Sequence, residues 1–71
     1  MPNLFHPIEP EKVKFNGGDL VDERNKLGLT QTQFGTLCGW TAQRQHFLEQ
    51  PGEHKIELET AKTILKAINE S

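Results

Sequence analysis

The sequence predicts an all-α domain of four or five short helices, entered through an extended N-terminal arm. Three observations carry that expectation. Four stretches after residue 16 show a helical period of 3.6. The first three of them lie between a capping residue and a glycine or proline. Three of the four prolines, Pro2, Pro7 and Pro10, crowd into the first fifteen residues, where they remove backbone donors and favour extended chain. The division that follows is an arm over residues 1–15 and a helical domain over 16–71. With 71 residues the chain makes one domain at most. A chain of this length buries only about 60% of its unfolded surface, so a partner subunit is a natural source of further stability.

Within the arm, Glu11-Lys12-Val13-Lys14-Phe15 alternates polar and apolar residues, which suits a short strand or a packed extended segment with Val13 and Phe15 on one side. That side covers either the domain's own core or a second subunit or DNA. Asn16-Gly17-Gly18-Asp19 is turn chemistry leading into a first helix over 17–27, with Asn16 or Asp19 as N-cap. Asp19, Asp22 and Glu23 near its start and Arg24 and Lys26 near its end suit the helix dipole, and Gly28 suits the left-handed position beyond it.

A second helix is expected over 31–38, where Thr30 and Gln33 make a capping box and Phe34, Leu37 and Cys38 form the inner face. Gly35 inside a helix is unfavourable by about 1 kcal/mol relative to Ala, so its presence points to close packing by a neighbour, here the following helix. Gly39 supplies the positive φ of a sharp turn. Thr41 then caps a third helix over 42–50, and Pro51-Gly52-Glu53-His54-Lys55 reads as a loop. Leu58, Ala61, Ile64, Leu65 and Ile68 form the inner stripe of a last helix over 57–69.

Two short helices joined by a glycine turn are a helix-turn-helix, a device whose second helix enters the DNA major groove. The third helix is unusually polar, with Gln43, Arg44, Gln45, His46, Glu49 and Gln50. Gln pairs well with adenine and Arg with guanine. Net charge is −2, yet residues 24–55 hold Arg24, Lys26, Arg44 and Lys55 against Glu49 and Glu53, a local excess of +2 over the same segment. The positive section coincides with the helix-turn-helix.

Other classes find little support. Cys38 is the single cysteine, so no intrachain disulfide forms, and with scattered His6, His46 and His54 it makes no zinc pattern. It reads as a small apolar residue in a reducing compartment. His46 and Glu49 lie three apart on one helix, but no nucleophile, phosphate loop or metal set accompanies them, so no enzyme activity, cofactor or metal is expected. No apolar run reaches the roughly 20 residues of a membrane span. The first ten residues lack the basic and apolar regions of a signal peptide. The expected location is the cytoplasm of a bacterial cell or phage-infected host, away from membranes.

The run from Leu20 to Ile68 resembles the Cro/repressor-type (lambda repressor-like, XRE-type) helix-turn-helix family of phages and bacteria. The resemblance rests on Leu20, Arg24, Leu27-Gly28-Leu29-Thr30-Gln31, Phe34-Gly35, Leu37, Gly39, Thr41, Leu48-Glu49 and Leu58-Glu59-Thr60-Ala61 with Ile64. It implies a lambda-repressor-like fold and double-stranded operator DNA as partner. Gln31 matches a phosphate contact. Thr41, Ala42, Gln43 and Arg44 match the base-reading end of the recognition helix. His46 and Phe47 match positions further along the groove, with Phe47 suited to a thymine methyl. Gln50, His54 and Lys55 match backbone contacts.

Small members of this family include phage Cro-like repressors, antitoxins and autoregulators such as anti-CRISPR-associated repressors. The implied function is a homodimeric repressor on an inverted-repeat operator of its own operon. The alternative is an antitoxin or protein-interaction module with a toxin or other protein as partner. Helix 4 (Leu65, Ile68) and the arm (Val13, Phe15) are the candidate dimer surfaces. Two positions depart from the pattern: Gln45 stands where the family has Val or Ile facing the core, and Trp40 replaces a small aliphatic at the turn. A buried Gln without partners costs about 1–3 kcal/mol, so a slightly rotated third helix is expected, and Trp40 is expected to fill core volume.

Overall fold

The computed structural model describes residues 4–70 and overturns the all-α expectation. Four helices are joined by a three-stranded antiparallel sheet, giving an α+β fold. The elements run β1 (His6–Glu9), β2 (Lys12–Asn16), α1 (Gly17–Lys26), α2 (Gln31–Cys38), α3 (Ala42–Leu48), β3 (Glu53–Glu57) and α4 (Leu58–Glu70). The beginning of the expected arm, including Pro2, lies outside the described residues.

What was expected as an extended arm is a hairpin. Pro10 and Glu11 turn the chain so that β1 pairs antiparallel with β2, His6 opposite Lys14 and Glu9 opposite Lys12, with an irregularity between Pro7 and Glu9. Proline weighs against a central strand but is tolerated at a sheet edge, and β1 is an edge. The loop expected over Pro51–Lys55 is likewise cut short, because β3 begins at Glu53 and pairs with β2 along five positions. Val13 faces Ile56 and Phe15 faces His54 across the two strands. Lys12 pairs with Glu57, and Lys14 reaches Glu53 at 3.6 Å, on the outer face.

Each helix has a local reason. Asn16 caps α1, accepting from the Gly18 N–H at 2.7 Å. The capping box of Thr30 and Gln33 closes α2 at its start, with bonds of 3.1 and 2.9 Å. Thr41 caps α3, accepting from the Arg44 N–H at 3.1 Å. The core joins β2 to every helix through Phe15, Leu20, Phe34, Leu48, Ile64 and Ala67, with Leu4 at one margin. Val13 and Phe15 are therefore turned to this chain's own core, at 4% and 1% exposure, and neither is available as a dimer surface. Ile68 also packs against that core. Among the described residues no helix is long and apolar enough to cross a membrane.

Candidate nucleic-acid interface

The turn between α2 and α3 is built by two glycines. Gly39 takes φ +86°, and the chain closes on α2 through Gly39 N–H to Thr36 O at 3.1 Å and Trp40 N–H to Gly35 O at 2.8 Å. This paired 5→2 and 6→1 closure is the Schellman motif. Gly35 lets the turn approach: a Cβ there would lie 2.9 Å from Trp40 O and 3.1 Å from Thr41 O. The neighbour anticipated for Gly35 is thus the backbone leading into α3.

Trp40 and Gln45, the two departures from the family pattern, are one device. Gln45 is fully buried at 0% exposure, so α3 is not rotated to release it. The Trp40 indole Nε1–H donates to Gln45 Oε1 at 2.9 Å, and Gln45 Nε2 donates to Glu49 Oε2 at 2.7 Å. Glu49 in turn accepts from Arg24 Nε at 2.7 Å and Nη2 at 2.8 Å, a bidentate pair between side chains 13% and 3% exposed. Arg24 Nη1 completes the chain by donating to Leu29 O at 2.9 Å. Burial pushes the Glu49 carboxyl up, but hydrogen bonds from Arg24, Gln45 and Gln31 outweigh it and hold it below its ordinary value. Among the described residues no buried side-chain N or O lacks a partner. Trp40 packs against the core as expected and also donates the one hydrogen bond that Gln45 needs from that side.

With Gln45, Leu48 and Glu49 turned inward, the other face of α3 presents Gln43, Arg44, His46 and Phe47, all exposed, with Gln50 just beyond its end. Phe47 is 65% exposed. Arg44 lies over the Trp40 ring, its Cζ 4.9 Å from the centroid. Thr41 is engaged as the cap, and Ala42 is half-buried. His46 and Gln50 lie against each other, with Gln50 Nε2 3.0 Å from His46 Nε2 and 3.2 Å from its backbone O.

Gln31, the expected phosphate contact, sits at the first position of α2, half-buried. Its Nε2 donates to Glu49 Oε1 at 3.1 Å, so it belongs to the internal network as well as to the surface. His54 donates from Nε2 to Gln50 O at 2.9 Å, stacks on Phe15 at 5.2 Å and meets Phe47 edge-on at 5.9 Å. It therefore props Phe47 from beneath. Lys55 is not brought to this group: alternation along β3 places it on the opposite side of the strand from His54, across from Lys14.

Sequence reasoning missed the roles of Glu49, Arg24 and Trp40. Their signal was present in the unexplained Gln45, because a buried amide requires both a donor and an acceptor nearby. Cys38 packs against the core, and burial pushes its thiol up to about 11. Comparison with protein-family models, curated proteins and solved structures finds no match for the chain.

Proposed function

We propose that this protein is a sequence-specific double-stranded DNA-binding regulator that acts as a homodimeric repressor on an inverted-repeat operator of its own operon. One observation carries the reading. The polar residues of α3 divide into an inward set that is fully hydrogen-bonded and an outward set around a solvent-facing Arg, Gln and Phe. Those three side chains suit guanine, adenine and the thymine methyl in the major groove. The domain measures 30 × 23 × 21 Å. A symmetric pair of such domains would read two half-sites about one DNA turn, about 34 Å, apart. Occlusion of polymerase is the simplest mechanism for a repressor bound in this way.

A protein-interaction module, including an antitoxin, is the second reading. Leu37, expected on the inner face of α2, instead stands 53% exposed and favours it, and so does the net charge of −2. A gel shift on DNA upstream of the gene, at two salt concentrations with excess competitor, separates the two. Specific retention that weakens steeply with salt and is lost in Arg44→Ala supports the regulator. A folded protein without specific retention at low salt refutes it and leaves the interaction module.

A further inference from the structure

Trp40 is held from three sides. Its backbone N–H is fixed to Gly35 O at 2.8 Å, its indole N–H to Gln45 Oε1 at 2.9 Å, and its ring packs against the core. Gln45 is itself locked by Glu49 at 2.7 Å, and Glu49 by the paired nitrogens of Arg24. The Arg44 guanidinium rests on this fixed ring, 4.9 Å from its centroid.

A guanidinium has a flat face that stacks and an edge of N–H donors that pairs. Here the guanidinium carbon lies over the indole, 4.9 Å from its centroid, while among the described residues no protein acceptor is hydrogen-bonded to its N–H donors. Bidentate pairing with guanine O6 and N7 needs that division: a plane already oriented and donors still open. An arginine loose in solvent loses its rotamer freedom on meeting a base, and a stacked one has given up much of it beforehand.

We propose that Trp40 is a positioning residue for base reading, its ring holding the Arg44 guanidinium so that the N–H edge pairs with one guanine in each half-site. The inference rests on the DNA-binding reading above and deepens it by naming the base and the residue that orients its reader.

Enrichment of a randomised double-stranded DNA library by the wild type, W40F and R44K, with folding checked by circular dichroism, tests it. The wild type is expected to enrich a motif with an invariant guanine. R44K keeps the charge but loses the fork and the stacking plane, and its preference for that guanine drops about tenfold or more. W40F retains a smaller ring without the indole donor and lowers the preference at the same position about threefold. In both, the preference at that one position falls further than the preference at the other positions of the motif.

A folded W40F with the full guanine preference overturns the inference alone, leaving Trp40 as core filler. A wild type that enriches no motif overturns the DNA-binding reading and the inference with it. Trp40 is the only tryptophan in the chain, so its emission gives a second measurement in the wild-type fold. R44A is expected to change that emission without changing the circular dichroism, and an unaltered emission overturns the stacked arrangement.

Discussion

Replacing Glu49 by Gln isolates the contribution of the buried charge. The substitution preserves shape and one acceptor oxygen but removes the carboxylate to which Arg24 donates at 2.7 and 2.8 Å, while Gln45 donates to it at 2.7 Å and Gln31 at 3.1 Å. Arg24, only 13% exposed, is then left without its counter-charge. Breaking a buried pair from one side costs about 3–5 kcal/mol. The lower end, about 3 kcal/mol, applies here because Leu29 O still accepts from Arg24 at 2.9 Å. A domain of this length has a total stability of about 4–10 kcal/mol, so the loss is a large fraction, equivalent to more than about 10 °C in Tm.

The pH dependence has a definite sign. The folded carboxyl lies below its ordinary value of 4.5, so its contribution is complete above that value and is lost as pH falls through the lower, folded value. Urea melts of wild type and E49Q, followed by Trp40 emission, should differ by about 3 kcal/mol at pH 7. The two should converge as pH falls through the lowered, folded value, where the wild type itself becomes neutral at this position. A gap under about 1 kcal/mol at pH 7, or one that persists undiminished in acid, refutes the argument that the charged pair stabilises the fold.

Truncating Phe15 to Ala should cost about 3–5 kcal/mol in a urea melt, because the hairpin contributes the floor of the core; a loss under about 1 kcal/mol would return β2 to the status of a detachable arm. Gly35→Ala gains about 1 kcal/mol of helix propensity but drives a Cβ to 2.9 Å from Trp40 O, so a net loss of about 1–3 kcal/mol is expected by thermal melting. Phe47→Ala should shift stability by less than about 0.5 kcal/mol, since the ring is 65% exposed, while specific retention in the gel shift falls at least severalfold. The Cys38 thiol, raised to about 11, should react with a disulfide reagent at pH 8 far more slowly in the native protein than in urea, where a free cysteine returns to about 8.5.

The helices were legible because their signals are local. Thr30 with Gln33, Thr41, Gly28 and Gly39 all occupy the capping and turn positions that their chemistry assigns. Of the sheet only β2 was legible, through the alternation that puts Val13 and Phe15 on one side; β1 and β3 were not, for two separate reasons. In β1 the burial pattern is uniformly exposed, so no alternation marks it, and Pro7 hides an edge strand behind a breaker. In β3 the period of two is present, with His54 and Ile56 inward and Glu53, Lys55 and Glu57 outward, but Ile56 is the single aliphatic residue in it. A histidine facing inward is not counted as apolar by any hydropathy pattern, although here it lies against Phe15 at 5.2 Å. The pairing of β3 with β2 joins residues some 40 positions apart, and no short window along the chain contains both partners.

The polarity of α3 was legible, but its meaning was divided. Taken as composition, six polar residues near one short helix suggest a single solvent- or DNA-facing surface. In the fold, two of them, Gln45 and Glu49, turn inward and draw in Trp40 from the turn, Arg24 from α1 and Gln31 from α2. Because every partner in that chain is satisfied, α3 is tied to the turn, to α1 and to α2 by directional bonds as well as by Leu48 in the core. Apolar packing alone tolerates rotation and sliding of so short a helix; hydrogen bonds of 2.7–2.9 Å do not. The inward polar residues therefore fix the angle at which the outward ones are presented. A helix that served only to cover the core would have no need of a Gln where an aliphatic packs more simply, and the fixed angle is what a surface reading base edges requires.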